Sequence, residues 1–343
     1  MTRPAAVIIL AAGQGTRMKS SLPKVVHPLA GLSMIGHALR AADGLDPEHI
    51  VAVVRHQRDL VAAEITRVME RALIADQDEI PGTGRAVQCG LEALEQRVGA
   101  IHGTLVVTYG DVPMLSARTL ADLVAQHEEE HHAVTVLTSR VEDPTGYGRI
   151  IRDEAGAVTA IVEQKDATAR QASINEINAG IYAFDADFLR ESLATVGTAN
   201  AQGEVYLTDV LAAAAPAGRT AGAMELTDFW QAQGCNDRIQ LAELGAEFNR
   251  RICREHMRQG VTIVDPSSTW IDVDVRIGAD TAILPGTCLR GATTIGSECE
   301  IGPATTLNGA KVGDRTAVPS SWVENAVLPA DTMVEPFSVI GRA

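Results

Sequence analysis

AAVIILAAGQGTRMKSSLPKVV, Ala5 to Val26, begins as an apolar run, turns within three residues into a glycine loop, and carries Arg17 and Lys24 just beyond it. An apolar run ending in glycines and followed by a helix start reads as the first strand of an α/β sheet and the turn that leaves it. Backbone N–H groups of such a turn, together with a helix N-terminus, form an anion site, and two nearby cations add a clamp suited to a polyphosphate. Two familiar templates fail here. No GxxxxGK[ST] spacing follows Gly13, and GxGxxG breaks at its last position, where Met18 stands in GQGTRM. The alternative is that Gly13 and Gly15 only turn a strand into a helix, with Arg17 in solvent.

The chain has 343 residues, 46% of them hydrophobic, and no apolar run near the roughly 20 residues of a membrane span. It reads as a soluble, cytoplasmic protein of about two domains. The apolar part of MTRPAAVIILAAG is short and continues directly into the glycine loop, so it reads as a core strand and not a signal peptide. Cys89, Cys235, Cys253, Cys288 and Cys299 form no CxxC pair, and are expected to be reduced, buried thiols. With 29 basic against 44 acidic residues, the net charge of -15 repels nucleic acid and anionic membranes, which are excluded as partners. A phosphate ligand must then be captured by a local basic pocket.

Away from the loop the sequence changes character twice. Short apolar runs (VIIL, IVAVV, TLVVTY, AVTVLT) alternate with amphipathic stretches such as SARTLADLVAQHEEEHH, the pattern of an α/β domain with a mostly parallel sheet, expected over 1–235. His131 and His132 read as part of a solvated helix end. Residues 236–259 place apolar side chains at three- and four-residue spacing between charges, which predicts a long linker helix. Residues 260–343 are a repeat. Ile271, Ile277, Ile283, Leu289, Ile295, Ile301 and Leu307 recur every six residues, with Val275, Thr281, Thr287, Thr293, Cys299 or Thr305 four residues after each of the first six. The beat resumes at Val312 and Val318 and, after an irregular stretch, at Leu328, Val334 and Ile340. Stacked coils need identical shapes above one another, so the spacing predicts a short parallel β-helix of about four triangular coils.

LAAGQGTRMKSSLPKVVHPLAG closely resembles the opening signature of the sugar-phosphate nucleotidylyltransferases, and is most similar to the bacterial N-acetylglucosamine-1-phosphate uridylyltransferases, which form half of a bifunctional enzyme with glucosamine-1-phosphate acetyltransferase activity. PGTGRAV, YGDVPMLS, DPTGYGRIIRD, VEQKDAT, EINAGIYAF, NAQGEVYLTDV and GCNDRIQLA follow in the family's order. The resemblance implies a Rossmann-like nucleotidyltransferase domain and a left-handed β-helix of hexapeptide repeats. It also implies joining of UTP to N-acetylglucosamine-1-phosphate with release of pyrophosphate, and Mg²⁺ as cofactor. The attacking phosphate is already an anion, so no general base is required; the reaction needs charge neutralisation and alignment.

By resemblance, Arg17 and Lys24 are the catalytic cations. Leu10, Ala11, Ala12, Gly13, Lys24, Gln77, Gly82 and Thr83 hold the nucleotide, with an amide at Gln77 able to offer the base both a donor and an acceptor. Tyr109, Gly110, Gly148, Glu163, Asn178 and Asn236 hold the sugar phosphate, and Asp111 with Asn236 holds the metal. A lone Asp with a distant amide suffices for Mg²⁺, whose shell is completed by phosphate and water. Pro81 and Arg85 depart from the family, which usually has an aliphatic residue and a His there.

β-Helices of this type often transfer acyl groups, using a general base such as His. Residues 260–343 contain no His, no Tyr and one lysine, Lys311. The family's acetyl-transfer residues lie in later coils, so acetyltransferase activity is expected to be absent from this chain. The family implies a homotrimer through the β-helix. Three alternatives stay open from the sequence: a nucleotidylyltransferase for glucose-1-phosphate or dTTP, a β-helix acyltransferase, and a catalytically silent scaffold.

Overall fold

Seven of the apolar runs lie side by side in one sheet, in the order Ala221–Glu225, Val134–Arg140, Glu176–Asp185, Thr104–Tyr109, Ala6–Leu10, His49–Val54 and Leu73–Asp76. The computed structural model describes residues 3–341. Ala6–Leu10 pairs in parallel with both His49–Val54 and Thr104–Tyr109. Glu176–Asp185 runs antiparallel to both its neighbours, so the sheet is mixed but mostly parallel. The short strands Arg149–Arg152 and Val158–Val162 pair with each other, and the first of them also with Glu176–Asp185.

Why these strands lack polar alternation is visible in their packing. Ala6, Ile8 and Leu10 join one hydrophobic cluster, while Val7 and Ile9 join another. Tyr182 and Phe184 likewise face one cluster and Ile181 and Ala183 the other. Both faces of the sheet are covered, so Ala6–Leu10 is apolar at every position, and the neighbouring central strands interrupt their apolar runs mainly with buried threonines such as Thr108 and Thr135. Thr83–Val98 packs on one face and Met34–Asp43 and Ala117–Glu129 on the other. Ser33 and Ser116 cap the latter two helices, their hydroxyls accepting from Gly36 N and Thr119 N.

Two expectations need correction. His132 is not solvated; its side chain is 12% exposed and packs against Gly222. The helix ends at Glu129, and the chain turns back through His131 at φ 53° to start the strand Val134–Arg140. Cys288 is half-buried, whereas Cys89, Cys235, Cys253 and Cys299 are buried free thiols.

The chain divides into two units. One holds the sheet and runs to Asp237 without residues 28–32; the other holds Pro28–Leu32 and everything from Arg238 onward. In the second unit, Arg238–Arg258 is a single helix that buries Leu244, Asn249 and Cys253. The repeat forms three parallel sheets of two- and three-residue strands. Ile271, Leu289, Leu307, Val323 and Ile340 stack in one, Ile277, Ile295, Val312 and Leu328 in a second, and Ile263, Ile283, Ile301 and Val318 in the third. Ile263 and Val323 are members that the six-residue beat does not reveal. The irregular stretch before Leu328 therefore contains a regular strand, Trp322–Glu324, reached after a five-residue step. Threonines fill the corners: Thr281 donates to Gly296 O at 2.8 Å and accepts from Cys299 N at 3.0 Å, tying one coil to the next.

Candidate active site

Sheet order reverses at Ala6–Leu10, whose parallel neighbours on its two sides continue to opposite edges. Open α/β sheets bind ligands outside the carboxyl ends of strands at such a point. There Leu10 lies opposite Tyr109, and the loops that follow wall a cleft of about 320 Å³. Of the residues expected from the sequence, Leu10, Ala11, Ala12, Gly13, Lys24, Gln77, Gly82, Thr83, Tyr109 and Asp111 line it.

The glycine loop is shaped by Gly15 and by two 3-10 turns, Thr16–Met18 and Lys24–Val26. Gly15 has φ 64°, and a Cβ there would stand 2.6 Å from Lys24 Cβ. Only glycine lets the loop pass this close to the lysine. Met18, 1% exposed, anchors the turn in the core. Arg17, on the same turn, is exposed and is not among the residues lining the cleft.

Lys24 sits at the centre of the charged end. Its Nζ pairs with Asp111 Oδ2 and donates to Asn236 Oδ1 at 3.3 Å. Side-chain exposure is 13% for Lys24 and 17% for Asp111, so this pair is largely shielded from water. Cys235, next to Asn236, donates its backbone N–H to Asp111 O at 2.9 Å. Burial, reinforced by the Asp111 charge, pushes its thiol up to about 11. The thiol therefore stays protonated beside the carboxylate.

The 77–83 loop, which also lines the cleft, is closed by Gln77, whose Nε2 donates to Ile80 O at 3.0 Å and Gly82 O at 3.2 Å. The amide's donors are thus engaged within the loop, and its Oε1 is what it offers a ligand. Gly82 has φ 120°, and a Cβ would lie 2.2 Å from Val205 O. Backbone bonds from Val205 N to Pro81 O and from Gly84 N to Val205 O clip the loop in place.

A second cluster forms around Glu163. Asn178 donates its N–H to Gly148 O at 2.9 Å, and a Cβ on Gly148 would lie 3.2 Å from Glu163 Oε1. Asn178 Nδ2 donates to Tyr182 Oη at 2.7 Å, while its Oδ1 accepts from Gly180 N at 2.8 Å. Burial raises the Glu163 carboxyl, and Asp166 and Asp209 add to this. Burial also raises the Tyr109 phenol, with the charges of Glu163 and Asp111 adding to it. Tyr109 thus senses both groups and stands between the cleft and this cluster. Gly110 donates to Leu10 O at 2.9 Å, which holds the two strand ends together. Gly110, Gly148, Glu163, Asn178 and Asn236 are not among the cleft-lining residues.

Arg55, His56, Gln14 and Glu204 also line the cleft and were not anticipated. Arg55 and His56 directly follow the strand His49–Val54. Their one signal in the sequence is a cation placed immediately after an apolar run.

Residues 6–273 match the family model described as nucleotidyl transferase. The bifunctional protein GlmU of Pseudarthrobacter chlorophenolicus is 52% identical over 339 residues, 99% of this chain and 69% of that protein. GlmU of Micrococcus luteus is 50% identical over 351 residues, covering 98% and 70% respectively. GlmU of Mycolicibacterium vanbaalenii is 53% identical over 342 residues, covering 98% and 69%. With the glycine loop and the strand-end aspartate joined in one cleft, and half of the residues shared along nearly the whole chain, this protein belongs to the GlmU family of nucleotidyl transferases.

Proposed function

We infer that the chain joins UTP to N-acetylglucosamine-1-phosphate, giving UDP-N-acetylglucosamine and pyrophosphate by in-line attack of the sugar phosphate on the α-phosphorus. The observation that carries this reading is the meeting of Lys24, Asp111 and Asn236 at the charged end of the cleft. We assign the transfer to residues 1–235 with Asn236, and assembly to the helix 236–259 and the solenoid 260–343.

Magnesium fits these residues. Asp111 Oδ2 and Asn236 Oδ1 already converge on one cation, the Lys24 ammonium. One carboxylate and one amide oxygen, completed by phosphate and water, suit Mg²⁺. Among the described residues no cluster of three or more His, Cys, Asp or Glu side chains could hold a metal, so a shared shell is the arrangement the donors support. When bound, the ion would neutralise phosphate charge and help align the two polyanions.

The chain's own residues supply the rest. Gly13, where a Cβ would meet nothing within 4 Å, leaves room for phosphates against the loop. Lys24 moves its charge from Asp111 to the polyphosphate as the leaving group gains charge. Arg17, exposed on its turn, adds a second cation by reaching in over bound phosphates. Gln77 Oε1 accepts from the uracil N3–H, and Gly82 and Thr83 let the backbone approach the base. The Gly148, Glu163 and Asn178 cluster takes the sugar, a carboxylate and amides being suitable partners for hydroxyl and acetamido groups.

No acetyl transfer is assigned to residues 260–343, which have neither His nor Tyr to act as base. A cytoplasmic location and a homotrimer through the solenoid complete the reading. Among the described residues no helix is long and apolar enough to cross a membrane. The test is turnover with UTP and N-acetylglucosamine-1-phosphate under chelation. EDTA should abolish it and Mg²⁺ restore it, and Asp111→Asn should raise the Mg²⁺ concentration needed. Full activity in EDTA would reject the metal assignment.

A further inference from the structure

Resting on the reading of the cleft as a UTP site, we propose that Asp78, Arg85 and Arg55 form a latch that fixes the 77–83 loop in its nucleotide-accepting shape. Asp78 and Arg85 are then positioning residues for nucleotide affinity, without a part in phosphoryl transfer.

Arg85 stands in the first turn of the helix Thr83–Val98, where a cation meets the positive end of the helix dipole. Asp78 compensates it. Arg85 donates to Asp78 Oδ2 from Nε at 2.9 Å and from Nη2 at 2.5 Å. The other oxygen, Asp78 Oδ1, accepts from Ile80 N at 3.0 Å. One carboxylate thereby ties the first turn of the helix to the tip of the loop.

Arg55, arriving from the end of the adjacent strand, donates Nη2 to Glu79 O at 3.2 Å. The loop carbonyls of Glu79, Ile80 and Gly82 are then each engaged, by Arg55 or by Gln77. Arg85 also holds the Asp78 carboxyl below its ordinary range, so the latch stays charged at assay pH.

An ion pair this exposed contributes little to global stability. Its effect belongs to preorganisation: a loop held in its bound shape loses less entropy when the nucleotide arrives. Pro81 restricts the backbone from within and Arg85 restrains it from outside.

The test uses the full chain, with equilibrium UTP binding by calorimetry and steady-state kinetics beside it. Asp78→Ala and Arg85→Ala should each weaken UTP binding about tenfold, and the double variant should bind no worse than either single one. Arg85→Lys should recover part of the loss. In all of them kcat and the sugar-phosphate KM should stay within about twofold, a split that a merely structural role would not give. Parent-like UTP affinity in either single variant, additive losses in the double variant, or a fall in kcat at unchanged affinity would overturn the latch. A parent chain that binds no UTP removes the UTP reading itself. The same variants are then compared with the nucleotide it does bind, and unchanged affinity there overturns the latch as well.

Discussion

Met18 occupies the position where a dinucleotide loop would carry its third glycine, and it is buried at 1% exposure. The motif fails because this position anchors a turn in the core instead of letting a helix approach a strand. The sequence makes Gly13 and Asp111 legible because each stands just past the end of a strand, and Lys24 through the resemblance carried by its SLPK context; all three line one cleft. It could not make Arg17 equally legible, since a cation on an exposed turn reads the same whether or not it serves a ligand. Lys24→Ala and Arg17→Ala should each fold normally and lose on the order of 10²- to 10³-fold in turnover. Turnover within a few-fold of the parent would remove that residue from the catalytic role. His127 gives a residue-scale prediction about stability. Buried at 3% exposure with Nδ1 on Thr135 Oγ1, it has its pKa lowered to about 4, chiefly by burial and then by His132. Between pH 6.5 and about 4 the unfolded chain takes up a proton there that the folded chain does not. Stability therefore falls as pH drops through that window, by about 2 kcal/mol between pH 7 and pH 5. Urea midpoints should show this acid loss in the parent and a smaller one in His127→Gln.

Among elements, the solenoid was the most legible, because a period of six admits few other structures. What escaped was local. Val323 stacks on Leu307 but follows Val318 by five residues, so a strict beat passes over it. Ile263 pairs with Ile283 across a longer first turn, and no spacing predicts it. The central strands were legible as strands, though their direction was not, since Glu176–Asp185 is largely buried like the two strands beside it yet runs against both. The threonine corners make an element-scale prediction. Thr281 is 0% exposed and bridges two coils. Thr281→Val keeps its shape and leaves Gly296 O and Cys299 N without that partner, which should cost about 1–3 kcal/mol in denaturant unfolding of the second unit. An unchanged midpoint would mean that water or a neighbouring group replaces the hydroxyl.

For the whole molecule, the proposed function divides chemistry from stacking between the two units. The solenoid exposes one row, Trp270, Cys288, Thr306, Trp322 and Val339, running across successive coils. Trp270 is 47% and Val339 64% exposed. An apolar row of this kind supports association through a flat face, so sedimentation at micromolar concentration should find a trimer, and a monomer alone would reject it. The division of labour itself rests on what the cleft binds. Pyrophosphate release, measured with the full chain across a small matrix of nucleoside triphosphates and sugar-1-phosphates in the presence of Mg²⁺, tests this most directly. UTP with N-acetylglucosamine-1-phosphate should be the best pair by kcat/KM. A better rate with glucose-1-phosphate or dTTP, or no release with any pair, would contradict the account.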